Sequence, residues 1–155
     1  MALSDQSQNP LLGKWETQHE IAPFNVIYDE HFQPALEIAC SEALLEVEEI
    51  IKNRNEPTFE NTIEALLSTG QLLDRIVSTF YTIAGAHTNK KRDELLLIFS
   101  SKLSDHNTNI YSNTELFDRI DRVVETKHLN GLDPEQERVL KLIHRNFVRS
   151  GAALK

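Results

Sequence analysis

The sequence predicts an all-α fold, and three observations support this prediction. Apolar residues recur at intervals of three and four along most of the 155-residue chain, which is typical of helices that bury one face. No segment shows the polar–apolar alternation of a strand or the signal of a hairpin turn. Glycine and proline number only five each, few for a protein rich in turns. We therefore expect about five amphipathic helices in antiparallel, bundle-like packing around a long central helix.

The central helix is predicted over Pro57–Asn89. Thr58 is the expected N-cap, and Glu60 places a negative charge in the first turn, where the helix dipole favours it. Gly70 and Gly85 are the weak points, because glycine in a helix interior costs about 1 kcal/mol relative to alanine. The apolar stripe consists of Phe59, Ile63, Leu66, Leu67, Leu73, Ile76, Val77, Phe80, Ile83 and Ala84.

The remaining chain is predicted to divide into an extended N-terminal arm, residues 1–28, and a helical domain, residues 29–155. In the arm, Leu11, Leu12 and Trp15 are apolar enough to dock either on this domain or on another one. Four further helices are expected: from Asp29 to about Arg54, after Thr88-Asn89, from Asn113 or Thr114, and from the capping sequence Asp133-Pro134-Glu135-Gln136.

The composition indicates an ordinary globular domain, with 40% hydrophobic and 26% charged residues. A net charge of −8 argues against a nucleic-acid partner, because phosphate binding requires clustered Lys and Arg. Cys40 is the single cysteine, and its place in an apolar row predicts a buried, inert thiol. The first ten residues lack a secretory signal, and no apolar run has the length of a membrane span. These features predict a cytoplasmic protein with no membrane contact.

The sequence contains no recognisable catalytic motif. A zinc peptidase helix carries two histidines four residues apart with a glutamate beside the first, and none of the six histidines has such a partner. His19-Glu20 begins like this motif, but position 23 is proline. No catalytic, cofactor-binding or metal-binding residue is therefore assigned. The carboxylates Glu46, Glu48 and Glu49 fit a solvated helix face better than a metal or acid–base site.

His87, Thr88 and Asn89 are the candidate site residues. They end the apolar stripe of the central helix, where polar side chains could face a cleft. The alternative for His87 is a capping role at the helix C-terminus, where a positive charge is favourable. A further interpretation is a small helical enzyme that uses His87 and nearby carboxylates.

Five short stretches resemble a known family. In order and spacing they are similar to the N-terminal region of bacterial peptidyl-dipeptidases, the Dcp branch of the thimet-oligopeptidase-like zinc metallopeptidases. They are Asn9-Pro10-Leu11-Leu12, Phe59-Glu60-Asn61-Thr62-Ile63, Ala86-His87-Thr88-Asn89, Glu115-Leu116-Phe117 and Phe147-Val148-Arg149-Ser150-Gly151-Ala152.

The resemblance implies a larger zinc peptidase that removes C-terminal dipeptides from short peptides, with its zinc motif in a C-terminal catalytic region beyond Lys155. None of those catalytic residues maps onto this sequence. The resemblance further implies that this part forms a wall of the substrate channel and is inactive and without metal in isolation. We also expect the isolated piece to self-associate through exposed apolar surface. Two alternatives remain open: a fragment of an oligopeptidase A-like endopeptidase, and a standalone helical module that binds a partner helix.

Overall fold

The computed structural model describes residues 9–13, 22, 24, 27–129 and 131–152. Within them the prediction of an all-α fold is confirmed, because every regular element is helical. Trp15 and Lys155, to which the sequence assigned roles, lie outside the described residues. The long helices are α1 (Phe32–Lys52), α2 (Gln71–Ala86), α3 (Lys90–Tyr111), α4 (Thr114–Glu125) and α5 (Pro134–Arg149). None of the helices in these ranges has the length and apolar character needed to cross a membrane.

The expectation of one continuous central helix is wrong, because the segment is interrupted before Gly70. A π-helical turn, Phe59–Glu64, continues as Ala65–Leu67, and α2 then begins at Gln71. Gly70 has φ 73° and ψ 23°, the left-handed conformation that residues with a side chain adopt only at a cost. The apolar stripe continues on both sides of this break, so its periodicity could not reveal the interruption.

The predicted helix caps at Thr58, Asn113 and Asp133 are confirmed. The cap predicted at Asp29 is wrong, because Asp29 is the first residue of a short 3₁₀ helix that Tyr28 precedes as N-cap. The Thr58 hydroxyl accepts a hydrogen bond from the Asn61 N–H at 3.0 Å, and the Asn113 side chain caps α4 in the same way through Leu116 N–H. Asp133 and Gln136 bond reciprocally at the start of α5, where Pro134 occupies the first helical position. These motifs involve residues only three apart, so local sequence is sufficient to specify them.

The chain forms two compact units, which we describe separately. The first unit comprises the described residues of 1–43 and 70–103, and the second those of 44–69 and 104–155. Helices α1 and α3 each contribute one part to each unit. The proposed boundary between an arm at 1–28 and a domain at 29–155 stays a prediction.

Three phenylalanines form the centre of the first unit. Phe32 of α1, Phe80 of α2 and Phe99 of α3 are fully buried. The rings of Phe80 and Phe99 stack with centroids 4.0 Å apart, and the edge of Phe32 meets Phe80 at 5.0 Å. Such aromatic pairs contribute about 0.5–1.5 kcal/mol each beyond the area they bury.

The described part of the N-terminal arm packs on this same unit. Leu11 is fully buried, and the Arg75 guanidinium donates hydrogen bonds to the carbonyls of Leu11 and Gly13 at 2.6 and 2.9 Å. The Asn9 amide donates to the His31 carbonyl at 3.0 Å. Leu11 therefore docks on its own domain, which decides between the two alternatives for this residue.

The second unit has its own apolar core and a half-buried cation, Arg119. Arg119 of α4 donates to the Asn53 carbonyl at 2.8 Å and to the side chains of Asn61 and Thr62 at 3.2 and 3.4 Å. Burial lowers the pKa of this guanidinium from its usual value. Arg119 thus fixes the π-helical turn to α4 beside the core residues Ile63, Leu116, Ile120, Val123 and Phe147.

Replacing Gly70 with alanine tests the left-handed break. We expect Gly70→Ala to lower the free energy of unfolding by about 1–2 kcal/mol, the cost of a left-handed conformation for a residue with a Cβ. The new Cβ would lie 3.8 Å from the Ala43 Cβ, an ordinary contact, so conformation and not crowding determines the loss.

Gly85→Ala is the matched control for this experiment. Gly85 lies within α2, and a Cβ there meets nothing within 4 Å. We expect this variant to be more stable than the wild type by about 0.5–1 kcal/mol. Urea unfolding followed by circular dichroism measures both changes. Equal effects of the two substitutions would contradict a left-handed requirement at Gly70.

Candidate functional site

The predicted site residues His87, Thr88 and Asn89 form the connection between α2 and α3, and all three are exposed. The His87 N–H donates to the Ile83 carbonyl at 3.0 Å, which closes the end of α2. The Asn89 side chain caps α3 by accepting a hydrogen bond from the Arg92 N–H at 2.8 Å. Asn89 is therefore occupied in capping, whereas the His87 ring remains available to solvent.

Arg92 connects three backbone segments around this connection. Its Nε donates to the Asp29 carboxylate at 3.0 Å, and its Nη1 donates to the His87 carbonyl at 2.7 Å. The side chains of Arg92 and Asp29 are only 20% and 21% exposed. Arg92 thereby holds the end of α2 beside the short 3₁₀ helix, Asp29–His31, that precedes α1.

Sequence reasoning did not identify Arg92, although one signal was present. Lys90, Lys91 and Arg92 place three consecutive positive charges in the first turn of α3, where the helix dipole disfavours them. A cation in that position needs another reason to be there. The ion pair with Asp29 supplies the reason for Arg92.

The same region of the first unit contains a cavity of about 470 Å³, which we call the His87 cavity. This volume is within the range of small-ligand sites. Its apolar lining is Phe24, Ile27, Tyr28, Phe32, Ile83 and Ala86, and its polar lining is Asp29, Thr82, His87 and Arg92. Phe24 and Tyr28 are 46% and 61% exposed, so both aromatic side chains leave apolar area open at the cavity.

The Tyr28 backbone is fixed at the cavity by His31. The Tyr28 N–H donates to His31 Nδ1 at 2.9 Å, and the two rings lie 5.6 Å apart. This bond requires an unprotonated Nδ1 on His31. The tyrosine ring is therefore presented to solvent from a defined backbone position.

Among its described lining residues, the cavity brings together one imidazole, one ion pair and an apolar wall, an arrangement that can bind a ligand. Among the residues that the structure describes, no three His, Cys, Asp or Glu side chains converge as a metal site would require. The donor set of this region does not fit zinc, and no metal-dependent step is derived for it.

Three other residues with reactive or charged side chains, Glu48, Cys40 and His144, are accounted for by the groups around them. Glu48 pairs with Lys52 at 3.8 Å on an open face of α1, in agreement with a solvated helix surface. Cys40 is 4% exposed, so the prediction of a buried thiol is confirmed. His144 Nε2 lies 2.9 Å from an Asp121 carboxylate oxygen in the second unit.

Comparison with known proteins extends the resemblance seen in the short motifs. No family model matches the chain. Over 148 residues, 96% of its length, the chain is 37% identical to the dipeptidyl carboxypeptidase of Salmonella typhimurium. The chain is similar to dipeptidyl carboxypeptidases. The enzyme of that name from Escherichia coli is 36% identical over an equal length.

The similarity covers a limited part of these dipeptidyl carboxypeptidases. The chain spans 22% of the length of each relative and corresponds to an N-terminal region. The predicted resemblance to the N-terminal region of a dipeptidyl carboxypeptidase is thereby confirmed. Most of the length of both relatives has no counterpart in the 155 residues.

Substitution of Arg92 tests its role in this region. We expect Arg92→Lys to lower the free energy of unfolding by about 1–2 kcal/mol, because lysine keeps the charge but cannot serve Asp29 and the His87 carbonyl together. Arg122→Lys is the control, since the Arg122–Glu56 pair is open to solvent and exposed pairs contribute little. Chemical unfolding measures the free energy of unfolding of both variants. An equal loss of stability in Arg122→Lys would contradict the role assigned to Arg92.

Cys40 gives the stability of the first unit a dependence on pH. Burial raises the pKa of its thiol, so the folded state holds the proton more tightly than the unfolded state. This stabilisation is complete below the pKa of the unfolded thiol, about 8.5, and is lost as the pH rises through the folded value.

We expect the free energy of unfolding to fall more steeply above about pH 8.5 in the wild type than in Cys40→Ala, by at most about 1.4 kcal/mol per pH unit. Denaturant unfolding at several pH values measures the two slopes. The native thiol should also resist iodoacetamide until the chain is unfolded. Parallel pH profiles for the two proteins would refute this contribution.

Proposed function

We propose that this chain is the N-terminal helical part of a peptidase that removes dipeptides from the C-terminus of short peptides. The observation that carries the proposal is 37% identity over 96% of the chain to a protein named dipeptidyl carboxypeptidase. A second protein of the same name is 36% identical, which favours this activity over an oligopeptidase A-like one. The expected partners are short peptide substrates and the rest of the longer polypeptide.

In this proposal the catalytic machinery lies outside the 155 residues. The chain corresponds to 22% of the relatives' length, which leaves room for a zinc-binding catalytic region elsewhere. Zinc, when bound there, would polarise the scissile carbonyl and activate water. The 155-residue chain is accordingly proposed to be inactive alone, and the cytoplasmic location stays a prediction.

The contribution of this chain would be to bind and orient the peptide as a wall of the substrate channel. His87, Thr88 and Asn89 are proposed to face that channel. Their exposure and the position of His87 at an apolar cavity support this assignment. Asn89, through its cap on α3, would act by positioning its neighbours.

The activity is tested with the longest polypeptide that the gene encodes. An N-acetylated tetrapeptide with a free carboxylate should yield an acetylated dipeptide and a free dipeptide, detected by mass spectrometry. The C-terminal amide of the same peptide should react with about tenfold to hundredfold lower kcat/KM, since hydrogen bonds to the carboxylate are lost. The 155-residue chain assayed alone should leave both peptides intact.

Two outcomes would contradict the proposal. Equal cleavage of acid and amide at internal bonds would identify an endopeptidase of the oligopeptidase A type. A reading frame that stops directly after Lys155 would remove the catalytic region from the product and favour a helical interaction module.

A further inference from the structure

We propose that the His87 cavity binds one uncharged apolar side chain of a peptide, aromatic by preference, while the His87 ring hydrogen-bonds the peptide backbone. The proposal rests on the proposed function for the class of ligand, a peptide. It adds the place of binding, the residues that form it and the side-chain selectivity. The reasons lie in the electrostatics, the positioning and the exposure of the lining residues.

The polar end of the cavity favours an uncharged occupant. Arg92 and Asp29 are both about four-fifths buried and bonded to each other at 3.0 Å, so their charges compensate. A charged side chain placed beside this pair would lose its hydration without gaining a free counter-ion. An apolar side chain instead meets Ile27, Phe32 and Ile83 and loses no polar contact.

The backbone of His87 is fixed, so its ring is positioned in advance to hydrogen-bond a peptide backbone. Its N–H is bonded to Ile83 at 3.0 Å and its carbonyl to Arg92 at 2.7 Å, so the backbone is fixed on both sides. Within the described residues the imidazole makes no hydrogen bond, and the residue is exposed. A neutral imidazole can donate to a peptide carbonyl or accept from a peptide N–H.

Tyr28 supplies the aromatic surface at the cavity. Its backbone is fixed by His31, yet the residue remains 61% exposed. Exposure of so large a ring leaves apolar area that a ligand ring could cover, and ring pairs gain beyond area when stacked or edge-on. This feature is the reason for the preference for an aromatic ligand side chain.

The test measures binding to the 155-residue chain by two-dimensional NMR, which needs no cleavage. The probes are N-acetyl-Gly-Phe-Gly amide and N-acetyl-Gly-Asp-Gly amide. We expect the Phe peptide to shift amide resonances around Tyr28, Ile83 and His87, and to bind at least about tenfold more tightly than the Asp peptide.

Two variants at the cavity and one control outside it test whether the peptide binds at the cavity or elsewhere on the surface. Tyr28→Ala and His87→Ala, both at exposed positions that the core does not need, should each weaken binding of the Phe peptide about fivefold. Leu97→Ala is the matched control, because Leu97 is 75% exposed in the same unit and does not line the cavity. This control should bind like the wild type.

Several results would overturn the proposal. These are equal affinity for both probes, no shift at millimolar peptide, or an equal loss in the Leu97 control. Shifts at the same residues that grow with protein concentration alone would assign the cavity to a second copy of the chain. Selective binding without dipeptide release by the longer polypeptide would support the cavity assignment and refute the proposed function, so the two failures are distinguishable.

Discussion

A left-handed residue marks one of the three places where the chain passes from one compact unit to the other. The helical segment that begins at Phe59 ends at Leu67, and Gly70 lies directly before the next helix, α2. The boundary between residues 69 and 70 falls at this break, whereas the other two boundaries lie within the continuous helices α1 and α3. The segment Phe59–Leu67 therefore packs with α4 and α5, and α2 packs around the phenylalanines of the first unit.

The candidate site depends on a second constraint, the charge of Arg92. A guanidinium that is four-fifths buried is costly unless it is paired and hydrogen-bonded. Asp29 and the His87 carbonyl satisfy it, and in doing so they bring the end of α2 to the start of α1. The His87 cavity lies between these ends. The ion pair of Arg92 and Asp29 forms part of its polar wall, and Phe32 of the aromatic core forms part of its apolar wall.

The chain is similar to an N-terminal region of dipeptidyl carboxypeptidases, and the binding role that we propose for it is supported by the chemistry of its described residues. The relatives are more than four times longer than the matched region, and among the described residues no three His, Cys, Asp or Glu side chains converge as a metal site would require. In the proposed function, the apolar cavity with one available imidazole recognises the peptide, and the remaining polypeptide cleaves the bond.

Local sequence alone determined the helical class, the start of α4 at Asn113 or Thr114, the start of α5 at Asp133 and the cap at Thr58. These features depend on residues three or four apart, which a periodic pattern or a capping motif contains in full. The periodic pattern also predicted that His87, Thr88 and Asn89 lie at a helix end. Only the tertiary structure decided the break at Gly70, because glycine permits both helical and left-handed backbone. It also decided the pairing of Arg92 with Asp29, since 63 residues separate the partners and no local pattern encodes a contact over that distance.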